Sequence, residues 1–324
     1  MMRAGWAAAL AAVALAGCVT QPARVVGSLA RGAAPLVELR DTPFYPQEKY
    51  ECGPAALATV LGASGVVKEP DELVPLVYVP GRNGSLQVEM EAAPRRFGRI
   101  AYRLRPQFSD VLAEVGAGRP VLILHDYSLP LAPRWHYAVV VGYDASRNSV
   151  ILRSGSERRQ LLSAWKFDRF WQRAGGWAIV LVKPGELPAS AHWQNYLESA
   201  AAFEKNAAPA DASKAFAAAV ERWPNEPLAW TGLGTGRYRA GDWAGAVASY
   251  RAALRLDPKL SAVRNNLAMA LLDLGCPAAA REALARIDEN TLPKAQRTPY
   301  EDTRRQVEQR QVGPAAYDPA GCAS

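Results

Sequence analysis

Cys52, followed by Gly53-Pro54-Ala55-Ala56-Leu57, places a thiol where a helix begins. Pro54 suits the first turn, where its missing N–H costs nothing, and the Ala/Leu-rich run stops near Gly62 and Gly65. The dipole and free amides of a helix N-terminus favour a thiolate. A thiol of ordinary pKa, about 8.5, is only a few per cent ionised at neutral pH, so a depression of roughly two units makes the nucleophile the major form. The chemistry on offer is attack of sulfur on a carbonyl carbon. The competing reading is a small core residue, which needs no helix terminus.

A thiolate needs a base, and the chain has three histidines, His125, His136 and His192. His136 opens the run Trp135-His136-Tyr137-Ala138-Val139-Val140-Val141-Gly142-Tyr143-Asp144, which reads as a strand closed by a turn. A sheet holds such a residue rigidly and leaves its ring at the sheet's end, as a general base requires. His125 ends another apolar strand and reads as surface or cleft packing, while His192 reads as a helix-entry residue. The spacings match no zinc finger, HExxH centre, phosphate loop or dinucleotide fingerprint, so no metal and no cofactor is expected.

The elements that must hold these groups divide into a helical part and a sheet part. Residues 71–78, 85–97 and 109–116 read as helices, and 100–104, 121–125, 136–143, 150–153 and 177–182 as strands. A short strand is also expected within 34–39, and 129–133 reads as a stiff Pro-rich loop walling the cleft.

Gln47, the Cys52-Gly53-Pro54-Ala55 run and the His136 strand together resemble the bacteriocin-processing, double-glycine type of cysteine peptidase and its stand-alone bacterial relatives. The resemblance covers residues 41–185. It implies an α+β papain-like cysteine peptidase domain with Cys52 as nucleophile, His136 as base and Gln47 as oxyanion donor. Two departures stand out. The family's Gln lies one residue further from its Cys, and the Asp that orients the imidazole is replaced here by Ser154 at the end of the next strand. Ser154 can accept the imidazole N–H but brings no charge to an imidazolium. Asp144, the nearest acid, reads as a turn residue. The expected site is a dyad with a neutral third partner.

Met1-Met2-Arg3, a short apolar run and Leu15-Ala16-Gly17-Cys18 read as a secretory signal, too short for a permanent span. The ending resembles the bacterial lipobox. That implies a cleaved signal peptide over 1–17, acylation of Cys18 with palmitate-type chains, and a tether over 18–40. With Val19 next, it implies an outer-membrane lipoprotein facing the periplasm. Cys276 and Cys322 are left as either a disulfide or two separate thiols.

Pro184-Gly185-Glu186-Leu187-Pro188 marks a boundary, after which alanine-rich helices repeat with a period of 34. Pro224 aligns with Pro258, Leu233 with Leu267, Gly241 with Gly275, Ala246 with Ala280 and Tyr250 with Leu284, and one period earlier Ala212 and Phe216 take the last two places. The pattern resembles tetratricopeptide repeats over 190–291, an all-α domain, with a helical and flexible tail over 292–324. With 324 residues, 49% of them hydrophobic, two domains are expected. The net charge of +7 is spread along the chain and does not argue for nucleic acid.

The leading reading is a membrane-anchored cysteine peptidase hydrolysing a protein or peptide substrate, its repeats recruiting a protein partner. A second is a catalytically weak or inactive peptidase-fold scaffold. A third is amide chemistry on cell-wall peptides. Removing the repeats is expected to leave residues 41–185 folded and reactive.

Overall fold

The protein is represented by a computed structural model describing residues 26, 34–46, 52–82, 84–128, 134–310 and 322. Cys18, the signal segment 1–17, most of the tether, the loop 129–133 and Gln47 lie outside the described residues. The first part contributes β1 (Leu36–Glu38), α1 (Cys52–Ala63), α2 (Pro70–Val77), β2 (Tyr78–Val79), β3 (Gly84–Ser85), α3 (Gln87–Ala92) and β4 (Ile100–Arg103). Then come α4 (Phe108–Gly116), β5 (Val121–Asp126), β6 (Trp135–Asp144), β7 (Ser149–Ser154), β8 (Glu157–Ser163), α5 (Ala164–Arg173) and β9 (Ala178–Val182).

An antiparallel sheet runs β4-β9-β5-β6-β7-β8, with β1 paired to the far end of β6. Alternation along β6 gives the sheet two dry faces. Tyr137, Val139 and Val141 pack with α1, α2 and α3, while Ala138 and Val140 pack with α4 and α5. A bulge between Val140 and Gly142 shifts the register, so Tyr143 joins the α4 face.

Three differences from the sequence reading have simple causes. The helix expected over 85–97 is split into α3 and a 3₁₀ turn at Ala93–Phe97, because Pro94 cannot donate to continue the α-helical ladder. Strand β8 was hidden in a charged stretch, since an edge strand presents mostly exposed side chains. Helix α5 left a usable signal, the buried stripe Ala164, Phe167 and Trp171 at helical spacing.

The second part is all helix: α6 (Trp193–Glu204), α7 (Pro209–Arg222), α8 (Pro227–Arg239), α9 (Trp243–Leu256), α10 (Ser261–Asp273), α11 (Pro277–Ala285) and α12 (Lys294–Gln309). The repeat positions are the packing positions. Ala212, Ala246 and Ala280 are fully buried, with Phe216, Tyr250 and Leu284 one turn further on. Gly241 and Gly275 turn the chain between paired helices at φ +79° and +90°. At Gly234 a Cβ would lie 2.6 Å from the Tyr250 ring, so the close approach of α8 and α9 requires glycine. Cys276 and Cys322 form a disulfide, with Cα atoms 5.6 Å apart.

The two parts share one core. Tyr196, Leu197, Ala200 and Phe203 of α6 are buried in the same cluster as Ile100 and Tyr102 of β4. The Tyr102 hydroxyl donates to the Ser190 carbonyl at 3.2 Å and accepts the His192 amide at 3.1 Å. Asn195 donates to the Arg103 carbonyl, and the buried Glu114 carboxylate accepts both the amide and hydroxyl of Ser190 at 2.6 Å. The sequence expectation of a freely removable repeat array did not include this joint.

Candidate active site

Cys52 is the first residue of α1 and is half-buried. Gly53 keeps that position tight: a Cβ there would fall 2.1 Å from the Ser85 hydroxyl oxygen, so only glycine lets β3 cross the helix start. The hairpin is pinned by the Tyr137 hydroxyl, which donates to the Ser85 carbonyl at 3.2 Å. Tyr137 itself packs edge-on against Trp177. Behind the site, the buried Arg153 on β7 donates to the carbonyls of Arg40, Thr42 and Arg158, tying the segment that leads into α1 to the β7–β8 hairpin. The sequence reading passed over Arg153, and a lone arginine in an apolar strand was its only signal.

His136 stands near the start of β6, and its Nε2 lies 3.0 Å from the Ser154 hydroxyl oxygen. Ser154 thus lies within hydrogen-bond distance of one ring nitrogen, and Nδ1 is the other. Asp144 takes the turn role, its Oδ1 accepting from the amides of Ser146 and Arg147 and from the Ser146 hydroxyl. The backbone amides of Tyr137, Gly53 and Cys52 favour the charged form of the Cys52 sulfur. Cys52 thus lies against Tyr137, the residue that follows His136 on β6. Sulfur and imidazole are not hydrogen-bonded to each other in this state. Such bonds commonly tighten only when substrate is present. Gln47, the expected oxyanion donor, lies outside the described residues.

The electrostatics differ from the sequence expectation. Burial pushes the Cys52 thiol above its ordinary value, outweighing the amides of Tyr137 on β6 and of Gly53 and Cys52 at the helix start. Burial first, and then the Arg134 cation, pull His136 down to about 4. The resting pair is neutral, thiol and imidazole. Proton transfer between them then happens as the sulfur attacks, with the imidazole acting as general base.

His125 is neither surface nor cleft. It is fully buried directly opposite His136 in the β5–β6 register. Its Nδ1 meets the Tyr127 hydroxyl at 2.7 Å, its ring abuts Phe167 and Phe170, and Tyr127 in turn lies against His136. Burial, then the His136 charge, lowers its pKa to about 3. A histidine held neutral this way stabilises the fold fully only above its unfolded value, about 6.5, and the stability drains away as pH falls towards the folded value. The expected loss from His125 between pH 7 and pH 3 is on the order of 3–5 kcal/mol. Urea unfolding at several pH values should show that slope flattened in His125→Phe; an unchanged slope would contradict the assignment. His192 caps the start of α6, as the sequence indicates. Among the described residues no cluster of His, Cys, Asp and Glu is arranged to hold a metal ion.

Residues 39–179 match the family model described as "Peptidase_C39 like family", and 197–260 and 237–295 match two tetratricopeptide-repeat models. The chain therefore has a C39-like peptidase-fold domain, a sheet with helices, followed by a helical tetratricopeptide-repeat region. No curated protein matches the chain. Among solved structures it is similar to a protein from Bacillus anthracis described as a C39-like peptidase, at 19% identity over 46% of this chain and 98% of that one, with a TM-score of 0.38. It is similar to the peptidase domain of Streptococcus ComA at 23% identity over 44% and 98%, with a TM-score of 0.36. The TPR2B domain of yeast Sti1, described as a pHsp70 complex, is similar at 15% identity over 37% and 95%, with a TM-score of 0.33.

Proposed function

We propose that the protein is a cysteine peptidase of the bacterial cell envelope, anchored by an acylated Cys18 on the outer membrane and facing the periplasm. The observation that carries the catalytic reading is the placement of Cys52, at the start of α1, against Tyr137, whose neighbour on β6 is His136 with its Nε2 at 3.0 Å from the Ser154 hydroxyl. In this reading His136 Nδ1 takes the thiol proton as sulfur bonds to the substrate carbonyl carbon. The imidazolium then returns that proton to the leaving amine as the C–N bond breaks. Water, deprotonated by the same imidazole, hydrolyses the thioester and restores the thiol. Gln47 and the Cys52 amide supply the oxyanion contacts. The repeats recruit the protein substrate or a partner, along the groove that stacked repeats create. Incubating the purified protein and its Cys52→Ala variant with a peptide library, and identifying cleaved products by mass spectrometry, tests this. Products formed equally by both proteins would remove it.

The second reading, a weakly catalytic scaffold, draws on Ser154 standing where a carboxylate would stabilise an imidazolium, and on burial opposing both charged forms. The two separate on one series. Ser154→Asp is expected to lower the apparent pKa of Cys52 and raise its alkylation rate near neutral pH, and Ser154→Ala to slow turnover by roughly 3- to 10-fold, the worth of one neutral hydrogen bond. Indifference to both changes favours the scaffold. The anchor has its own check: Cys18→Ser should move the protein out of the membrane fraction or leave its precursor uncleaved. Unchanged fractionation and processing would rule the anchor out.

A further inference from the structure

Tyr127 directly follows β5 and closes the β5–β6 pairing, its amide donating to the Arg134 carbonyl at 2.8 Å. Its ring is fixed from two further directions. Phe170 of α5 stands edge-on to it, with ring centroids 4.7 Å apart, and its hydroxyl meets His125 Nδ1 at 2.7 Å. The ring so held lies against His136, with centroids 6.1 Å apart and planes tilted by 34°. His125 is a firm anchor, because it is fully buried and stands edge-on to Phe167 at 5.2 Å. Burial also keeps this contact uncharged at neutral pH, lowering His125 to about 3 and raising the Tyr127 hydroxyl to about 12.

We propose that Tyr127, anchored by His125, is a positioning residue for His136, its ring setting the plane of the imidazole so that Nε2 meets Ser154 and Nδ1 is left for the thiol proton. The assignment rests on the reading of His136 as the base for Cys52. Ser154 alone is a weak restraint. The torsion that turns an imidazole is broad and roughly two-fold, and a flip about it takes Nε2 away from the hydroxyl. A single neutral hydrogen bond opposes that only modestly, and Ser154 brings none of the charge with which a carboxylate would hold the ring. An aromatic neighbour at this separation adds a restraint of similar size from another direction. The His125 side chain points the same way. Its Nε2 is buried with no hydrogen-bond partner among the described residues, which costs stability. A phenylalanine there avoids that cost but cannot hold the Tyr127 hydroxyl. Tyr127 acts through the imidazole and takes no part in bond making.

Rates of Cys52 alkylation by iodoacetamide at pH 7, measured on the full chain, test it. Tyr127→Leu is expected to slow the reaction about 3- to 10-fold. Tyr127→Phe keeps the ring and loses only its anchor, so the rate should recover to within about 2- to 3-fold of the wild type. His125→Phe removes the same hydrogen bond and should match Tyr127→Phe, with the double variant no slower than either. In a His136→Ala background Tyr127→Leu should change nothing, because no imidazole is left to orient; a residue that merely packs the site would disturb Cys52 in both backgrounds. Nitrogen NMR of histidine-labelled protein adds a direct readout. His136 should show one tautomer, protonated on Nε2, in the wild type and in Tyr127→Phe, and a mixture in Tyr127→Leu. Each variant is checked for a cooperative thermal transition, and if Tyr127→Leu does not fold, the rates of Tyr127→Phe in the two backgrounds decide. Wild-type rates in the Tyr127 variants, an equal slowing in His136→Ala, or an unchanged His136 tautomer in Tyr127→Leu would overturn the proposal and leave His136 as the base. A wild-type rate in His136→Ala itself would remove both.

Discussion

His136→Ala is expected to slow alkylation of Cys52 by a peptidyl acyloxymethyl ketone, in which sulfur bonds to the methylene carbon and the carboxylate leaves, by about 10²- to 10⁴-fold at pH 7, the usual worth of a positioned general base. The size of the effect follows from the burial of the site. Burial holds the thiol above its ordinary range, so without a base almost none of it is ionised at neutral pH. The amides of Tyr137, Gly53 and Cys52 can stabilise a thiolate once formed, but they cannot remove a proton. The imidazole can, because its own lowered pKa of about 4 keeps it neutral and accepting across the physiological range. Ser154→Ala should cost far less, since it removes an orienting hydrogen bond and leaves the acceptor nitrogen.

The second large effect is on stability, and it comes from the far side of the sheet. Phe203→Ala, a change within the repeats, is expected to destabilise the unfolding transition that includes the catalytic sheet by about 3–5 kcal/mol. Phe203 is buried in the cluster that contains Ile100, Tyr102, Val180 and Val182 of β4 and β9. Ending the chain before α6 would expose that face together with the Tyr102 and Glu114 groups now satisfied by Ser190 and His192. A fragment of residues 34–185 should therefore be poorly soluble or lack a cooperative transition in differential scanning calorimetry. A fragment that melts cooperatively and keeps Cys52 reactive would show that the shared core is dispensable.

What the sequence disclosed, and what it hid, depends on the range of the interactions involved. The start of α1 was legible because Cys52, Gly53 and Pro54 are neighbours whose local chemistry fixes a helix terminus. Ser154 within reach of His136 was legible because two consecutive strands joined by a short turn bring their ends together. The repeats were legible because one packing solution recurs at a fixed spacing. The thiol's pKa was not, since the desolvation that raises it comes from β3, Tyr137 and the sheet, all distant in sequence. The same holds for His125, whose burial depends on Phe167 and Phe170 of a helix that was not anticipated. The joint between the two parts was hidden for a similar reason. A Pro-Gly-rich stretch usually marks a flexible boundary, and nothing local tells that Ser190 and His192 are tied down by Glu114 and Tyr102.

The central claim is that His136 serves as the base for Cys52, and the pH dependence of iodoacetamide labelling at Cys52 tests it most directly. For the wild type the rate should stay level from about pH 5 to pH 8 and fall only as the imidazole is protonated, near about 4, because the neutral imidazole takes the thiol proton throughout that range. For His136→Ala the rate should be low across the same range and rise only in alkali, above the ordinary thiol value of about 8.5, as an unassisted buried thiol ionises. Superimposable profiles for the two proteins would mean that Cys52 has no base in His136, and the catalytic account would fall.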